Sequence, residues 1–212
     1  MRLVFVHGWA CHAGVWSELL PLLGGHEHFL IDLGFMRGGP KGASAMPENA
    51  VYIGHSFGVM WLLKHGPRPM RGLVSIAGFD CFYKHVPPEV LPAMKEGLHN
   101  DPDATMSNFW AMCGLDERLE GSLDTGALRG GLDWLGAWDV SEERRALDAP
   151  ILALASEGDR IVRKPMTEAA WGGGDADLRW LATDSHMLPL SHAEWCAEQI
   201  TGFVDDLDRA RS

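Results

Sequence analysis

The chain has 212 residues, of which 46% are hydrophobic and 22% charged, a composition typical of one globular domain with a single core. Its formal net charge of −11 disfavours nucleic acids and anionic membranes as main partners, because both bind basic surfaces. We find neither a signal peptide nor an apolar run long enough to span a membrane, so the sequence predicts a cytoplasmic protein. The four cysteines match no metal-ligand spacing and are expected to be reduced core thiols.

Six short apolar runs are predicted strands, and helical patterns alternate with them along the chain. The predicted strands are residues 3–6, 29–31, 50–53, 73–77, 151–155 and 178–181. Helical spacing of apolar residues predicts helices over residues 15–23, 59–64, 164–171 and 192–207. Apolar strands that alternate with helices are typical of a parallel sheet covered on both faces. The predicted fold is therefore α/β, with about six parallel strands.

Residues 79–140 interrupt this alternation. They contain no β-like run, and their apolar residues predict three or four short amphipathic helices. The segment follows the fourth predicted strand, at the edge of the sheet where α/β folds bind ligands. We therefore expect residues 1–78 and 141–212 to form the core and residues 79–140 to form a helical lid.

A serine between two glycines, in Gly54-His55-Ser56-Phe57-Gly58, joins the third predicted strand to the next helix. The glycines permit a very tight turn, which places Ser56 in a strained backbone conformation with its hydroxyl clear of the sheet. Free N–H groups at the start of the helix favour a developing oxyanion. The G-x-S-x-G pattern is common by chance, but its position between a strand and a helix predicts that Ser56 is a nucleophile.

A serine nucleophile needs a base that takes its proton and an acid that orients the base. Asp159 follows the fifth predicted strand, and His186 follows the sixth. The chain therefore carries serine, acid and histidine in the order that is typical of the α/β-hydrolases. The predicted triad is Ser56, Asp159 and His186.

Other acids and histidines are alternatives for these roles. Asp80 follows the fourth predicted strand, where some hydrolases keep the acid. His55 is next to the nucleophile, but we expect its side chain to point away from the tight turn. His192 is expected to begin the last helix, with Ser191 as its N-cap.

The loop after the first predicted strand approaches the nucleophile from the other side. Gly8 permits a close approach, because it lacks a Cβ. The backbone N–H groups of Trp9 and Phe57 are the predicted oxyanion hole, in which each donor is worth roughly 3 kcal/mol of transition-state stabilisation. No metal site is recognisable, and the chemistry needs no cofactor.

With these residues, the chain resembles the α/β-hydrolase fold family, and within it the pimeloyl-acyl-carrier protein methyl ester esterases of biotin synthesis. The similarity runs from residue 3 to about residue 200, with gaps. The motifs that are more specific than G-x-S-x-G are Trp9 after His-Gly, the Gly-Gly-Leu of residues 130–132, and the Ser-His-Ala-Glu-Trp-Cys of residues 191–196. The resemblance implies a truncated α/β-hydrolase fold, because residues 34–49 are too few for the helix that usually precedes the nucleophile strand.

That family hydrolyses the methyl ester of a pimeloyl chain on a carrier protein, so the resemblance implies a serine esterase. The residues that it assigns are Ser56, Asp159 and His186 as the triad, Trp9 and Phe57 as oxyanion donors that contact the substrate, and Phe109 as a lid residue lining the acyl channel. The implied partners are a small ester substrate and an acyl-carrier protein, and we expect a monomer.

The lid departs from the family pattern. The family holds its acidic carrier protein with several lid arginines, whereas the lid cations here are mainly Lys84, Lys95, Arg118 and Arg129, among many acids. Such a lid disfavours an acidic partner. A general short-chain carboxylesterase or acyl-thioesterase is therefore the alternative, and a non-catalytic relative that binds a small molecule is the alternative of another class.

Overall fold

The computed structural model describes residues 1–39, 42, 45–115 and 119–210. The strands are β1 (Arg2–Val6), β2 (Glu27–Ile31), β3 (Met36–Arg37), β4 (Val51–His55), β5 (Gly72–Ile76), β6 (Ser122–Leu123), β7 (Ile151–Ser156) and β8 (Asp177–Leu181). Six of them form one sheet in the order β2-β1-β4-β5-β7-β8, and every neighbouring pair in it is parallel. The six-stranded parallel α/β sheet predicted from the sequence is therefore confirmed.

The helices connect these strands. They are α1 (Phe57–His65), α2 (Val90–Asn100), α3 (Pro102–Met112), α4 (Thr125–Ala137), α5 (Ser141–Arg145), α6 (Lys164–Trp171), α7 (Leu188–Ser191) and α8 (Ala193–Arg209). Because α2, α3 and α4 all lie between β5 and β7, they interrupt the strand–helix alternation. Helix α2 packs against both α3 and α4, so this part of the chain forms a small helical layer of its own.

Alternate residues of each strand face opposite sides of the sheet, and each side is covered. Leu3 and Phe5 of β1 belong to an apolar cluster with α8. Val4 and Val6 belong to a second cluster with α1, α6 and the helical layer of α2, α3 and α4. The fully apolar strand runs noted in the sequence follow from this double coverage.

Three local expectations are wrong. Residues 15–23 do not form one α-helix, and two short 3₁₀ helices, Ala13–Trp16 and Leu20–Leu22, occur in this part of the chain. Pro21 has no N–H to donate within an α-helix. The lid does contain a β-strand, because β6 pairs antiparallel with β3. The N-cap of α8 is His192, whereas Ser191 ends α7.

The four cysteines are all buried and free, as expected from the sequence. Across the described ranges, no helix combines the length and the apolar character needed to cross a membrane.

Candidate active site

The turn between β4 and α1 presents Ser56 at the carboxyl edge of the sheet. Ser56 has φ 52° and ψ −123°, a left-handed conformation that a residue with a Cβ rarely adopts. Its backbone N–H donates to the Ile76 carbonyl of the neighbouring strand at 2.9 Å, which holds the turn in place. The strain expected at this serine is therefore present.

Gly58 makes this turn possible, because α1 starts directly against the end of β1. A Cβ at Gly58 would lie 2.2 Å from the carbonyl oxygen of Val6 and 2.7 Å from that of His7. Both contacts are with backbone, which cannot rotate away as the end of a side chain can.

We expect Gly58→Ala to lower the free energy of unfolding by roughly 1–3 kcal/mol, the usual cost of overpacking a tight site. It should also lower the rate of ester hydrolysis, because the shift separates α1 from the loop after β1. Urea unfolding and turnover measure the two effects. Gly130→Ala is the matched control, since a Cβ on Gly130 in α4 meets nothing within 4 Å. Equal stability of the two variants would contradict the packing argument.

His186 lies directly beside this serine. The residue follows β8, is buried, and places Nε2 2.9 Å from Ser56 Oγ. Its Nδ1 lies 2.7 Å from Asp159 Oδ2. A carboxylate accepts hydrogen bonds, so Nδ1 carries the hydrogen and Nε2 is free to accept the proton of the serine hydroxyl.

Asp159 follows β7 and is held by three donors. Besides His186, the backbone N–H groups of Ile161 and Val162 donate to its Oδ1 at 2.7 and 2.9 Å. Burial by itself raises the pKa of Asp159, but the interaction with His186 and the two N–H bonds outweigh it, and the net pKa is lowered. The carboxyl is therefore ionised and keeps one orientation toward the histidine.

The alternative acid, Asp80, forms an ion pair away from His186. Its Oδ2 lies 2.9 Å from Nε of Arg144, and both side chains are buried. Arg144 lies just after the lid, so this ion pair joins the two ends of the lid segment. Asp80 therefore has a structural partner, and the carboxylate beside His186 is that of Asp159.

The backbone of His186 is fixed from two sides. Its N–H donates to the carbonyl of Cys113, at the end of α3, at 3.0 Å. Its carbonyl lies 3.0 Å from Nε2 of His55. The sequence placed His55 away from the turn, and no pattern indicated that its ring lies behind His186 and holds it. The Cys113 contact was also missed, because it joins residues far apart in sequence.

His55 is held in its neutral form. A carbonyl oxygen only accepts, so Nε2 carries the hydrogen, and Nδ1 is buried with no hydrogen-bond partner among the described residues. Burial, with the nearby His186, lowers the pKa of His55 from 6.5 to about 3.

This buried neutral histidine should make stability depend on pH. Below about pH 6.5 the unfolded chain binds a proton that folded His55 rejects, so stability is lost as pH falls from 6.5 towards 3. Between pH 7 and pH 5 we expect a loss of about 2 kcal/mol from this group. Urea unfolding at both pH values measures it, and His55→Gln should show the smaller loss. The same loss in both proteins would contradict this role for His55.

The positions of Trp9 and Phe57 suit backbone donors to an oxyanion. Phe57 is the first residue of α1, where N–H groups have no acceptor within the helix. Trp9 follows β1, which pairs with β4 alongside Ser56. The loop passes so close that a Cβ on Gly8 would lie 3.0 Å from Cβ of Ser56. Whether these groups bind the oxyanion remains a prediction.

Two of the three motifs that are specific to the resemblance, Trp9 and the Gly-Gly-Leu of residues 130–132, contact each other. The indole N–H of Trp9 donates to the carbonyl of Leu128 in α4 at 2.9 Å. A Cβ on Gly131 of the same helix would lie 2.4 Å from Trp9 Cδ1. The glycine therefore lets α4 lie directly on the indole, which ties the lid to the loop after β1.

A small cavity of about 30 Å³ opens beside Ser56, beneath the lid. Trp9 and Phe57 line its core side, and the Trp9 and Phe109 rings meet edge to face at 4.9 Å. Its lid side is formed by Phe82, Leu91, Met94, Phe109, Leu132 and Leu135. The volume suits about two water molecules, so this cavity has no room for an acyl chain. Phe109 lies where the resemblance implied, at the wall of this cavity.

No group of three or more histidines, cysteines or acids that could hold a metal ion occurs among the described residues. Ser56, His186 and Asp159 have the geometry of an acyl-transfer triad. All three side chains are buried and shielded from bulk water.

No protein-family model matches the chain. It is 27% identical to a pimeloyl-acyl-carrier protein methyl ester esterase of Yersinia enterocolitica, over 95% of this chain and 92% of the relative. It is 29% identical to the esterase of the same name of Citrobacter koseri, over 92% and 91%. Among solved structures, the esterase EaEST from Exiguobacterium antarcticum superimposes with a TM-score of 0.78 at 14% identity, over 97% and 92%. The expected resemblance is confirmed: the chain has the α/β-hydrolase fold and is similar in sequence to carboxylic ester hydrolases named pimeloyl-acyl-carrier protein methyl ester esterases.

Proposed function

We propose that the chain hydrolyses carboxylic esters with Ser56 as nucleophile, His186 as base and Asp159 as orienting acid. The position of His186 carries this proposal, because one ring nitrogen lies 2.9 Å from Ser56 Oγ and the other 2.7 Å from Asp159 Oδ2. Similarity to esterases over more than nine-tenths of the chain supports ester hydrolysis as the reaction.

In the first half of the reaction, Ser56 Oγ attacks the ester carbonyl carbon while His186 Nε2 takes the hydroxyl proton. The carbonyl oxygen becomes negative and accepts hydrogen bonds from the N–H groups of Trp9 and Phe57. The tetrahedral adduct then expels the alcohol, which leaves with the proton held on His186. An acyl group remains bound to Ser56.

In the second half, a water molecule gives its proton to His186 and attacks the acyl carbon. The adduct collapses, the bond to Ser56 breaks, and His186 returns the proton to Ser56 Oγ. The carboxylic acid leaves and the free enzyme is restored. Asp159 stays ionised throughout and stabilises the imidazolium that forms twice in each cycle.

The sequence relatives favour the methyl ester of pimeloyl-acyl-carrier protein as the substrate. They carry that name and match the chain along almost its whole length. The leaving alcohol is then methanol, and the product is the free pimeloyl carboxylate that biotin synthesis uses.

The charge of the lid favours a second candidate, a small ester or thioester free in solution. Residues 79–140 contain eleven Asp or Glu against four Lys or Arg. Lys84 is paired with Asp139, and Lys95 with Asp133. Arg118, the third lid cation of the sequence analysis, lies outside the described residues. Such a lid repels an acidic carrier protein unless salt screens the charges.

The test compares pimeloyl-acyl-carrier protein methyl ester with a series of short p-nitrophenyl esters at low and physiological salt. We expect the carrier-linked ester to have the higher kcat/KM. We also expect its KM to fall as the Debye length shortens from about 30 Å to about 8 Å, because screening removes the repulsion. Hydrolysis of the short esters alone would overturn the carrier substrate and leave the triad. No hydrolysis of any ester would overturn the proposed function.

A further inference from the structure

The cavity beside Ser56 has an apolar wall. Of the described residues that line it, none carries a charged side chain. The serine hydroxyl is reserved for the reacting ester, and the indole N–H of Trp9 already donates to Leu128. Whatever part of the substrate extends beyond the reacting ester into the lid therefore meets only hydrocarbon and aromatic carbon.

Of the lid cations that the structure describes, none lines this cavity, and Arg129 is exposed to solvent. The guanidinium of Arg144 is buried and lies 2.9 Å from Asp80, so it balances a charge of the protein itself. Lys84 and Lys95 of the lid are paired with Asp139 and Asp133. A negative group inside the cavity would therefore lose its hydration without gaining a counter-charge.

We infer that the substrate is an ester whose acyl chain ends in an uncharged group, and that an acyl chain ending in a free carboxylate is rejected. This inference rests on the proposed function, whose substrate class it narrows. Moving an ionised carboxylate from water to an unpaired buried position is strongly unfavourable, whereas a methyl end is buried favourably and an ester or thioester end at far lower cost than a charge. The far end of a carrier-linked pimeloyl chain is a thioester, so it meets this requirement, as does a simple alkyl ester.

The test uses three methyl esters with the same acyl chain length: methyl heptanoate, dimethyl pimelate and monomethyl pimelate. We expect kcat/KM for monomethyl pimelate to lie on the order of a hundredfold or more below that for methyl heptanoate. Dimethyl pimelate should lose one methyl group and stop, so that monomethyl pimelate accumulates. Rates for monomethyl pimelate and methyl heptanoate within about threefold of each other would overturn the inference alone. Failure to cleave any of the three would overturn the proposed function and the inference with it.

A pair of charge-matched variants separates the cavity from the general negative field of the protein. Met94 of α2 lines the cavity and is half-buried, so Met94→Lys brings an ammonium to the wall. It should raise the ratio of the monomethyl pimelate rate to the methyl heptanoate rate at least about tenfold. Met112→Lys adds the same charge at an exposed lid position, 47% accessible, and should leave the ratio unchanged.

An equal rise of this rate ratio in both variants would show that the negative charge of the protein surface, and not the cavity wall, selects the substrate. That result overturns the inference. If Met94→Lys does not fold, the wild-type ratio measured from low to high salt decides the question. If the ratio stays equally low at high salt, selection by the cavity is supported, since salt does not screen the cost of desolvating the carboxylate. A ratio that approaches unity overturns it.

Discussion

Replacing Ser56 with alanine is expected to lower the turnover number for ester hydrolysis on the order of a millionfold. Ser56 Oγ forms the bond to the acyl carbon, so no acyl-enzyme can form without it. The fold should persist, because the N–H of residue 56 still donates to the Ile76 carbonyl and the strained turn is unchanged. Turnover with a short p-nitrophenyl ester measures the first effect, and thermal unfolding measures the second.

Ser75→Ala is the matched control for this substitution. Ser75 is also a buried serine, on the neighbouring strand β5, and its Oγ has no hydrogen-bond partner in the described part of the chain. Removing an unpartnered buried hydroxyl should leave stability equal or slightly higher. Turnover should stay within about threefold of the wild type, since Ser75 lies outside the triad. Retention of more than about a hundredth of the activity in Ser56→Ala would assign the nucleophile elsewhere.

A fluorophosphonate probe distinguishes an enzyme from a non-catalytic binding protein. An activated serine attacks phosphorus and becomes covalently labelled, whereas an ordinary serine does not react. We expect stoichiometric labelling of the wild type and of Ser75→Ala, and none of Ser56→Ala. Absence of labelling in the wild type would favour the binding protein.

The sheet and the serine turn could be predicted because their signals are local. The central strands β1, β4, β5 and β7 are short, mainly apolar runs, since both faces of the sheet are covered there, whereas the edge strands β2 and β8 are partly exposed and carry charged residues. The two glycines around Ser56 are required by contacts within a few residues of the turn and with the end of β1. Local composition and periodicity therefore determine these features.

Residues 15–23 show where a local pattern fails. Their apolar spacing fits a helix, but the chain forms two separate 3₁₀ turns with i to i+3 hydrogen bonds. Trp16 and Leu19 are buried in the same cluster as α8. Apolar burial on one side is thus achieved without a helix, and periodicity alone does not separate the two outcomes.

The sequence favoured Asp159 over Asp80 as the acid, but it did not indicate what Asp80 contacts. Asp80 and Asp159 both follow core strands, and each suits an orienting acid by position. Arg144 decides between them, because it pairs with Asp80 from a helix on the far side of the lid segment. The same holds for His55, whose contact with the His186 carbonyl joins residues 55 and 186. Contacts at such sequence separation follow from the fold and leave no local pattern.

Residues 79–140 hold the backbone of His186, the base of the proposed triad, and also form one wall of the cavity. A cavity of about 30 Å³ is too small for an acyl chain, so lid side chains must move when substrate enters. The end of α3 cannot swing freely, because the Cys113 carbonyl holds the N–H of His186. Helix α4 is held in a similar way, because the indole N–H of Trp9 donates to the carbonyl of Leu128.

Asp159→Asn is expected to lower the turnover number by roughly ten-thousandfold while leaving substrate binding almost unchanged. An amide nitrogen can donate to Nδ1 of His186, which stabilises the tautomer that carries its hydrogen on Nε2. That tautomer cannot accept the proton of Ser56, although the three side chains keep their positions. Steady-state kinetics at neutral pH measure this as a fall in kcat at nearly constant KM.

Asp80→Asn is the control that separates the two acids. It removes the buried counter-charge of Arg144 and leaves only the exposed Asp175, 3.5 Å from the guanidinium, so we expect a loss of stability below the roughly 3–5 kcal/mol of an uncompensated buried charge. Turnover per folded molecule should stay within a few-fold of the wild type, because Asp80 does not contact His186. Asp159→Asn should thus lower mainly kcat, and Asp80→Asn mainly the free energy of unfolding. A loss of kcat in folded Asp80→Asn as large as in Asp159→Asn would show that Asp80 takes part in orienting the base, and the triad would have to be reassigned.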